Sequence, residues 1–283
     1  MELTTSLQLS PDQKQAFVRE GYLRLPQLIP AHTLEKLREA ADRLCEQAKS
    51  LPEVVVIQNE RNEDCIIGIE KMATLSEPVF RELLGSPLLL SLAQSICGDD
   101  FFPVQDFMVI KTPGDGNSIH WHQDILTRPL SKAVMIGFYL DPSDDQNGAL
   151  RVIPGSHRSG LPICELEKMP YTSIDMEAGG VLIHDLMLAH SSGSLTTQQQ
   201  RRVVYFEFMS ANQAIDEQVY PESFVNSRRE LLPLASACFA NRNSTGIKQA
   251  LPEPIEAEIR IRELYDLNCK RHAANYCFEQ AGK

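Results

Sequence analysis

Apolar residues in the first hundred positions recur at helical spacing, and short runs of alternating residues separate these stretches. Ser10 and Gln13 form a capping-box pattern, and the helix that begins there is expected to end near Gly21. A longer helix is predicted over Pro30–Ala48, because its leucines and alanines recur on one side and charged residues cover the other. Two more helices are predicted over Pro78–Leu84 and Pro87–Ile96, and short strands over Tyr22–Leu25, over Val54–Ile57 and from Cys65.

The pattern changes at Phe101, where short β-prone runs alternate with turn residues. Regularly spaced short strands predict a sandwich or jelly roll. The pattern loosens after Ser210, and a helix is predicted from Ile255 to about Phe278. We expect a single domain over 1–283, with a helical part over about 1–100, a β core over about 101–210, and a lid and C-terminal helix over about 211–283. The predicted core strands are Phe107–Ile110, Ala133–Leu140, Ala149–Ile153, Gly180–Ile183 and Val203–Phe208.

Charge and cysteine usage narrow the partners and the compartment. The chain has 27 basic and 38 acidic residues, a net charge of −11. This balance argues against a general nucleic-acid surface or an anionic membrane surface. No apolar run approaches the ~20 residues of a membrane span, and no leader pattern is found at the N-terminus. The seven cysteines are widely spaced and form no C-x-x-C, so reduced structural thiols in a cytoplasmic protein are expected.

The stretch from Ser118 to Asp124 carries the candidate chemistry. His122 and Asp124 are one residue apart, so on an extended chain their side chains point to the same face. A neutral imidazole and a carboxylate can then bind one metal ion, and a non-haem iron site needs one more histidine. Three later histidines could supply it: His157 in a turn signature, His184, which could also be a core residue, and His190.

Several ordered motifs are similar to those of the phytanoyl-CoA dioxygenase family of Fe(II)/2-oxoglutarate oxygenases. The resemblance covers about residues 11–210. It implies a mostly β protein with flanking α-helices, built on a double-stranded β-helix (a jelly-roll, cupin-like core). The matching segments are Glu20–Pro26, His122-Gln123-Asp124, Asn147–His157, and His190 with Ser192 and Arg201.

The resemblance also implies roles for individual residues. His122, Asp124 and His190 correspond to the iron ligands at the catalytic centre, with His184 the rival for the third position. Arg201 corresponds to the partner of the distal 2-oxoglutarate carboxylate, a role that suits a planar guanidinium fork. Arg202 points to the other side of the strand, where a solvated or ion-paired role is expected. Further cosubstrate contacts are assigned to Ser192, Phe107, Phe138 and Lys71.

The implied function is hydroxylation of a C–H bond of a small-molecule substrate. The cofactors would be Fe(II), 2-oxoglutarate and O2, with succinate and CO2 as coproducts. An intact Asp124 favours hydroxylation over halogenation, because related halogenases replace this carboxylate by a small residue. Two alternatives stay open: desaturation, epimerisation or cyclisation with the same cofactors, and a non-catalytic homologue that binds metal or ligand.

The remaining residues of interest have plainer interpretations. His120 is expected to be a packed or solvated strand residue, Trp121 a core residue and His157 a structural residue of its turn. Substrate selectivity is expected to lie outside the iron motif, and the last of the candidate segments is long enough to act as a lid. These segments are Asn59–Ile69, Ile125–Lys132, Arg158–Thr172 and Gln213–Ser244.

Overall fold

The computed structural model describes residues 3–58, 63–114, 118–125, 132–243, 254–266 and 274–277. Within these ranges the chain forms nine α-helices, twelve strands and three short 3-10 helices. The helices are α1 Pro11–Glu20, α2 Ala31–Gln47, α3 Pro78–Leu84, α4 Pro87–Cys97, α5 Ile163–Leu166, α6 Ala211–Asp216, α7 Glu222–Arg229, α8 Leu231–Asn243 and α9 Pro254–Asp266. The strands are β1 Tyr22–Leu25, β2 Val54–Gln58, β3 Asp64–Glu70, β4 Phe101–Lys111, β5 Ile119–Gln123, β6 Ala133–Tyr139, β7 Leu150–Val152, β8 Thr172–Ser173, β9 Val181–Asp185, β10 His190–Ser192, β11 Arg201–Ser210 and β12 Asn275–Tyr276.

The first helix begins and ends as its sequence predicts. The Ser10 hydroxyl accepts a hydrogen bond from the backbone N–H of Gln13, and the Gln13 side chain accepts one from the backbone N–H of Ser10. Gly21 ends the helix with φ of +83°. A Cβ at Gly21 would lie 2.5 Å from Nδ1 of His157, so this close approach also requires glycine.

A seven-stranded antiparallel sheet forms one layer, in the order β1-β9-β6-β11-β4-β3-β2. Alternation along β11 divides its side chains between two hydrophobic clusters. Val204, Phe206 and Phe208 pack with the N-terminal helices, and Val203 and Tyr205 face the other way. The large sheet therefore has one helix-covered face and one face turned toward the second sheet.

The second layer is a five-stranded sheet in the order β12-β5-β10-β7-β8. Its apolar residues Leu150 and Val152 share a cluster with Leu182 and Val203 of the large sheet. The register between β10 and β5 shifts between His190 and Ser192. Two packed antiparallel sheets with helices outside agree with the predicted jelly roll, and the predicted core strands are confirmed.

The C-terminal prediction is partly wrong. Helix α9 ends at Asp266, and Asn275 and Tyr276 form β12 rather than a further helical turn. The physical reason is the edge of β5, whose Gln123 and His122 pair with these two residues. An unpaired edge offers backbone hydrogen bonds that helical periodicity in the sequence does not reveal.

The prediction of reduced cysteines is wrong for one pair. Cys164 and Cys277, separated by 113 positions, form a disulfide. Their Cα atoms lie 4.9 Å apart, within the range that a disulfide spans. The described free thiols are Cys45, Cys65, Cys97 and Cys238. In the ranges given above, no helix is both long enough and apolar enough to cross a bilayer.

Candidate metal and cosubstrate site

Three ligand-bearing residues converge where β5 and β10 pair. His122 lies on β5 opposite His190 on β10, and Asp124 follows the end of β5. Nε2 of each histidine lies 3.6 Å from Oδ1 of Asp124. One ligand atom from each residue lies within 4.8 Å of the others, and this is the one such group of three found among the described residues. Two imidazoles and a carboxylate in this arrangement form a facial triad.

Backbone carbonyls fix which nitrogen of each histidine faces the centre. Nδ1–H of His122 donates to the carbonyl of His120 at 2.8 Å, and Nδ1–H of His190 donates to the carbonyl of Leu188 at 2.8 Å. Nε2 of each ring is thereby left as a lone-pair donor toward Asp124. The backbone N–H of Asp124 donates to the carbonyl of Leu186, which holds the carboxylate at the end of β5.

The protonation states at this centre suit a cation. Burial, reinforced by the neighbouring His122, lowers the pKa of His190 to about 3, so His190 is neutral at pH 7. Burial alone would raise the pKa of Asp124, but the neighbouring imidazoles of His190 and His122 outweigh this effect and hold this pKa well below its usual value, so the carboxylate is ionised at pH 7. Oδ2 of Asp124 is buried without a hydrogen-bond partner among the described residues. An ionised carboxylate beside a neutral imidazole is the donor set that a divalent iron requires.

A buried guanidinium lies on the large sheet opposite this centre. Arg201, the first residue of β11, is 1% exposed. Its Nη1 donates to the carbonyl of Gly148 at 2.6 Å, while its Nε has no hydrogen-bond partner in the described part of the chain. The Ser192 hydroxyl is likewise buried without a partner there. A buried cation whose one hydrogen bond among the described residues goes to a carbonyl is costly, so the chemistry of this donor set fits an anionic ligand such as a carboxylate.

One cavity of about 370 Å³ brings these groups together. The ring of Phe107 stacks on Tyr205 with centroids 5.3 Å apart, and both line the cavity. Val55, Ile67 and Met135 add apolar surface, and Glu70 and Gln105 add polar atoms. The cavity lining includes His122, Asp124, His190, Ser192 and Arg201.

Comparison with known proteins decides the family. The model of the phytanoyl-CoA dioxygenase (PhyH) family matches residues 17–203. The chain belongs to this family. The family match contains the metal triad and Arg201, and extends from α1 into β11.

Two curated relatives and one solved structure illustrate the similarity. The chain is 28% identical over 200 residues to an ectoine dioxygenase of Sphingopyxis alaskensis, covering 65% of this chain and 64% of that protein. It is 28% identical over 156 residues to an L-proline trans-4-hydroxylase of Streptomyces griseoviridis, covering 53% and 56%. The crystal structure of EctD from S. alaskensis with bound Fe superposes with a TM-score of 0.63 at 25% identity, covering 72% of this chain and 78% of that one. The chain thus spans less than two thirds of the length of the two curated relatives.

Two positions that the family resemblance assigned to the cosubstrate lie elsewhere. Phe138 is fully buried in the helix-side core, where its ring meets Phe206 edge to face. Alternation along β6 explains this, because Met135 is the residue that reaches the cavity and Phe138 lies on the opposite face. Lys71 follows the end of β3 with a positive φ, and its Nζ lies 3.4 Å from Asp266 outside the cavity lining. The assignments of Phe138 and Lys71 are therefore corrected, whereas Phe107 keeps its predicted position in the wall.

The other histidines fall where plainer interpretations placed them. His184 lines the cavity with its ring 5.0 Å from that of His190, but it lies outside the triad, and burial lowers its pKa. His120 is exposed on β5. His157 is buried in its turn and bonds through Nε2 to the carbonyl of Val18. Trp121 packs beside a small cluster behind β5.

The segment predicted to act as a lid is helical in this structure and lies outside the cavity lining over its described residues. Residues 211–243 form α6, α7 and α8, and none of them lines the cavity. Leu231 and Ala235 of α8 are buried in the helix-side core instead. Among the other selectivity segments, Ile67, Gly68 and Ile69 do line the cavity. Most of the Ile125–Lys132 segment lies outside the described residues.

Sequence reasoning missed one cavity residue that contacts the metal triad. The ring of Tyr276 on β12 stacks on His122, with centroids 5.1 Å apart and planes at 18°. Tyr276 and Ala274 both line the cavity. Tyr276 is 154 positions from His122, and no local pattern links two residues so distant.

Proposed function

We propose that this protein is an Fe(II)/2-oxoglutarate-dependent dioxygenase that hydroxylates a C–H bond of a small-molecule substrate. The observation that carries the proposal is the joint placement of the His122, Asp124 and His190 triad and the buried Arg201 in one cavity. A metal-binding triad alone would suit many functions. A buried guanidinium in the same cavity adds a site for a dianionic cosubstrate.

Each residue has a defined part in holding the cofactors. His122, Asp124 and His190 would hold Fe(II) through Nε2, a carboxylate oxygen and Nε2. Arg201 and Ser192 would bond the distal carboxylate of 2-oxoglutarate with N–H and O–H donors that have no partner among the residues that the structure describes. Phe107 and Tyr205 would bound the carbon chain and keep water from it. When bound, iron and 2-oxoglutarate supply the activation of O2, in which one oxygen atom enters succinate as CO2 leaves and the other enters the substrate.

Hydroxylation is the outcome we favour, in line with the activities named for the ectoine and proline relatives. Those substrates are small and polar, and a cavity of about 370 Å³ with both apolar and polar walls suits a molecule of that class. We propose a small molecule of this kind as substrate.

Succinate release with a panel of small amino acids and cyclic amines tests the proposal. Iron-dependent succinate formation that a panel member stimulates, with an oxygen atom from ¹⁸O2 in the product, is the expected result. Arg201→Ala should raise the 2-oxoglutarate concentration needed by about tenfold or more, since a charge-assisted bidentate pair is lost. Arg158→Ala, which removes an exposed guanidinium, is the matched control and should leave that concentration unchanged. Succinate formation that is equal without Fe(II) would contradict the proposal.

A further inference from the structure

Residues 274–277 form a short C-terminal strap across the strand that carries the first metal ligand. In the strap, Asn275 and Tyr276 pair with Gln123 and His122 of β5. The Asn275 side-chain amide donates to Oε1 of Gln123 at 3.1 Å. A ladder of two residues is weak by itself, because isolated short strand pairs are marginal in water.

The strap places a ring on a metal ligand and in the cavity wall. Tyr276 lies nearly parallel to the His122 imidazole and covers one of its faces. Its other surface is partly open, with 41% of the residue exposed. The ring therefore restrains the orientation of His122 and borders the space that a substrate would enter.

A covalent bond fastens the strap directly after Tyr276. Cys277 is bonded to Cys164 of α5 and packs beside Ile153, Ile163 and Ala189. Ala189 precedes His190, and Trp121, which precedes His122, packs against the same cluster. The disulfide thus anchors the strap to the structure behind both histidine ligands.

We propose that the Cys164–Cys277 disulfide holds Tyr276 against His122 as a positioning residue and cavity wall, and that reduction of the bond releases this wall. The inference rests on the proposed function only in taking the triad as an iron site. Reduction by a dithiol breaks the S–S bond, gives Cys164 and Cys277 two electrons and two protons, and converts the dithiol to its own disulfide. Without the bond, the described part of the strap is held by its two-residue ladder, one side-chain hydrogen bond and non-covalent packing of Tyr276 and Cys277.

The bond would couple the site to thiol redox state. Disulfides persist in oxidising compartments and are reduced in the cytosol. A cytoplasmic protein would therefore carry the open form until it met an oxidant, and a protein in an oxidising compartment would carry the closed form.

Hydrogen exchange of the full chain tests the fastening directly. Oxidised protein, protein treated with dithiothreitol, and a Cys277→Ser variant are compared by mass spectrometry without metal. We expect amides of 119–123 and 274–277 to exchange at least about tenfold faster in the reduced and Cys277→Ser forms, while β11 is unchanged. Cys45→Ser, which removes a free thiol of α2, should exchange as the oxidised wild type does. Equal exchange in oxidised and reduced protein, or Cys164 and Cys277 thiols that stay free after treatment with oxidised glutathione, would overturn the proposal.

Release of Fe(II) to a chelator without O2 tests the role of the ring. Tyr276→Ala and reduced wild type should lose iron about tenfold faster or more, as expected when a group that orients a ligand is removed. Tyr276→Phe keeps the ring and should retain iron as the wild type does. Equal release from Tyr276→Ala and wild type would overturn the positioning role.

The two proposals fail in different ways. A well-folded chain that binds no Fe(II) counts against the proposed function. Hydrogen exchange of residues 119–123 in oxidised and reduced protein then tests whether the disulfide fastens the strap. Tight iron binding that is the same with and without the disulfide counts against the strap and leaves the proposed function standing.

Discussion

The two sheets differ in how they are held and in what they carry. Strand β11 of the large sheet is ten residues long, is paired on both sides, and has every residue buried. The strands of the small sheet are two to five residues long. Yet the small sheet holds both histidines of the proposed metal triad, and Asp124 follows one of its strands.

The difference between the two sheets suggests that stability and chemistry depend on different parts of the molecule. The large sheet buries one face under helices, so its side chains should dominate the free energy of unfolding. The small sheet depends on specific links, such as the Gln123 side chain bonded to the carbonyl of Met187 and the Cys164–Cys277 bond. Substitutions on the small sheet should therefore change function more than stability, and those on the helix-covered face of the large sheet should do the reverse.

The largest expected effect is on activity, from Asp124→Ala beside the small sheet. We expect iron-dependent 2-oxoglutarate turnover to fall by more than about 100-fold. Substitution of a residue that only supports a metal ligand already lowers metal affinity or activity by about 10- to 100-fold. Asp175→Ala, an exposed aspartate, is the control and should keep full turnover. Succinate assays with thermal unfolding curves check both variants. An active Asp124→Ala variant would show that Asp124 is not a required metal ligand.

The largest expected effect on stability comes from Phe206→Ala in the large sheet. Phe206 is fully buried against the helices, and its loss should lower the free energy of unfolding by about 3–5 kcal/mol. Tyr171→Ala, at an exposed ring, should change it by about 0.5 kcal/mol or less. Urea denaturation measures both, and similar values for the two variants would break the contrast between scaffold and surface.

A pH-dependent effect is expected from Asp185 at the end of β9. Burial raises the pKa of Asp185 to about 7, although a hydrogen bond from Met187 N–H opposes the rise. Because the folded pKa lies above the unfolded one, this contribution to stability is full below about pH 4 and is lost as the pH rises through 7. Asp185→Asn should therefore stabilise the protein at pH 8, by about 2 kcal/mol, and little at pH 4.

Thermal unfolding at the two pH values checks this prediction. Asp175→Asn should show no such difference, since Asp175 is exposed. If Asp185→Asn gave the same gain in stability at both pH values, the pKa of Asp185 would not differ between the folded and unfolded states.

The smallest expected effect on stability comes from removing the N-cap of α1. Ser10→Ala removes the acceptor for Gln13 N–H and should cost about 1 kcal/mol. Ser6→Ala, which lies before the helix, should cost nothing measurable. Urea denaturation measures the free energy of unfolding of both variants. Equal values would show that the Ser10 cap does not stabilise the protein.

Local patterns predict the regular elements because their causes are local. The cap at Ser10, the glycine at Gly21 and the alternation along β11 all act within a few residues. The triad and Arg201 follow from motifs on β5, β10 and β11 of the core. Their roles come from the family resemblance, and the structure supplies the geometry and the missing partner for Nε of Arg201 among the described residues.

The missed features depend on contacts between distant parts of the chain. Cys164 and Cys277 give no signal at a separation of 113 residues. The strand at Tyr276 exists because the edge of β5 accepts it. Phe138 was assigned to the wrong face because a strand gives each residue two possible directions, and only packing against the helices decides which one is buried.

The most direct test of the central claim is the visible absorbance of metal-free protein after anaerobic addition of Fe(II) and 2-oxoglutarate. We expect a charge-transfer band that is lost in His190→Ala, weakened in Arg201→Ala and unchanged in Arg158→Ala. Absence of the band in well-folded wild-type protein, or an undiminished band in His190→Ala, would contradict the claim.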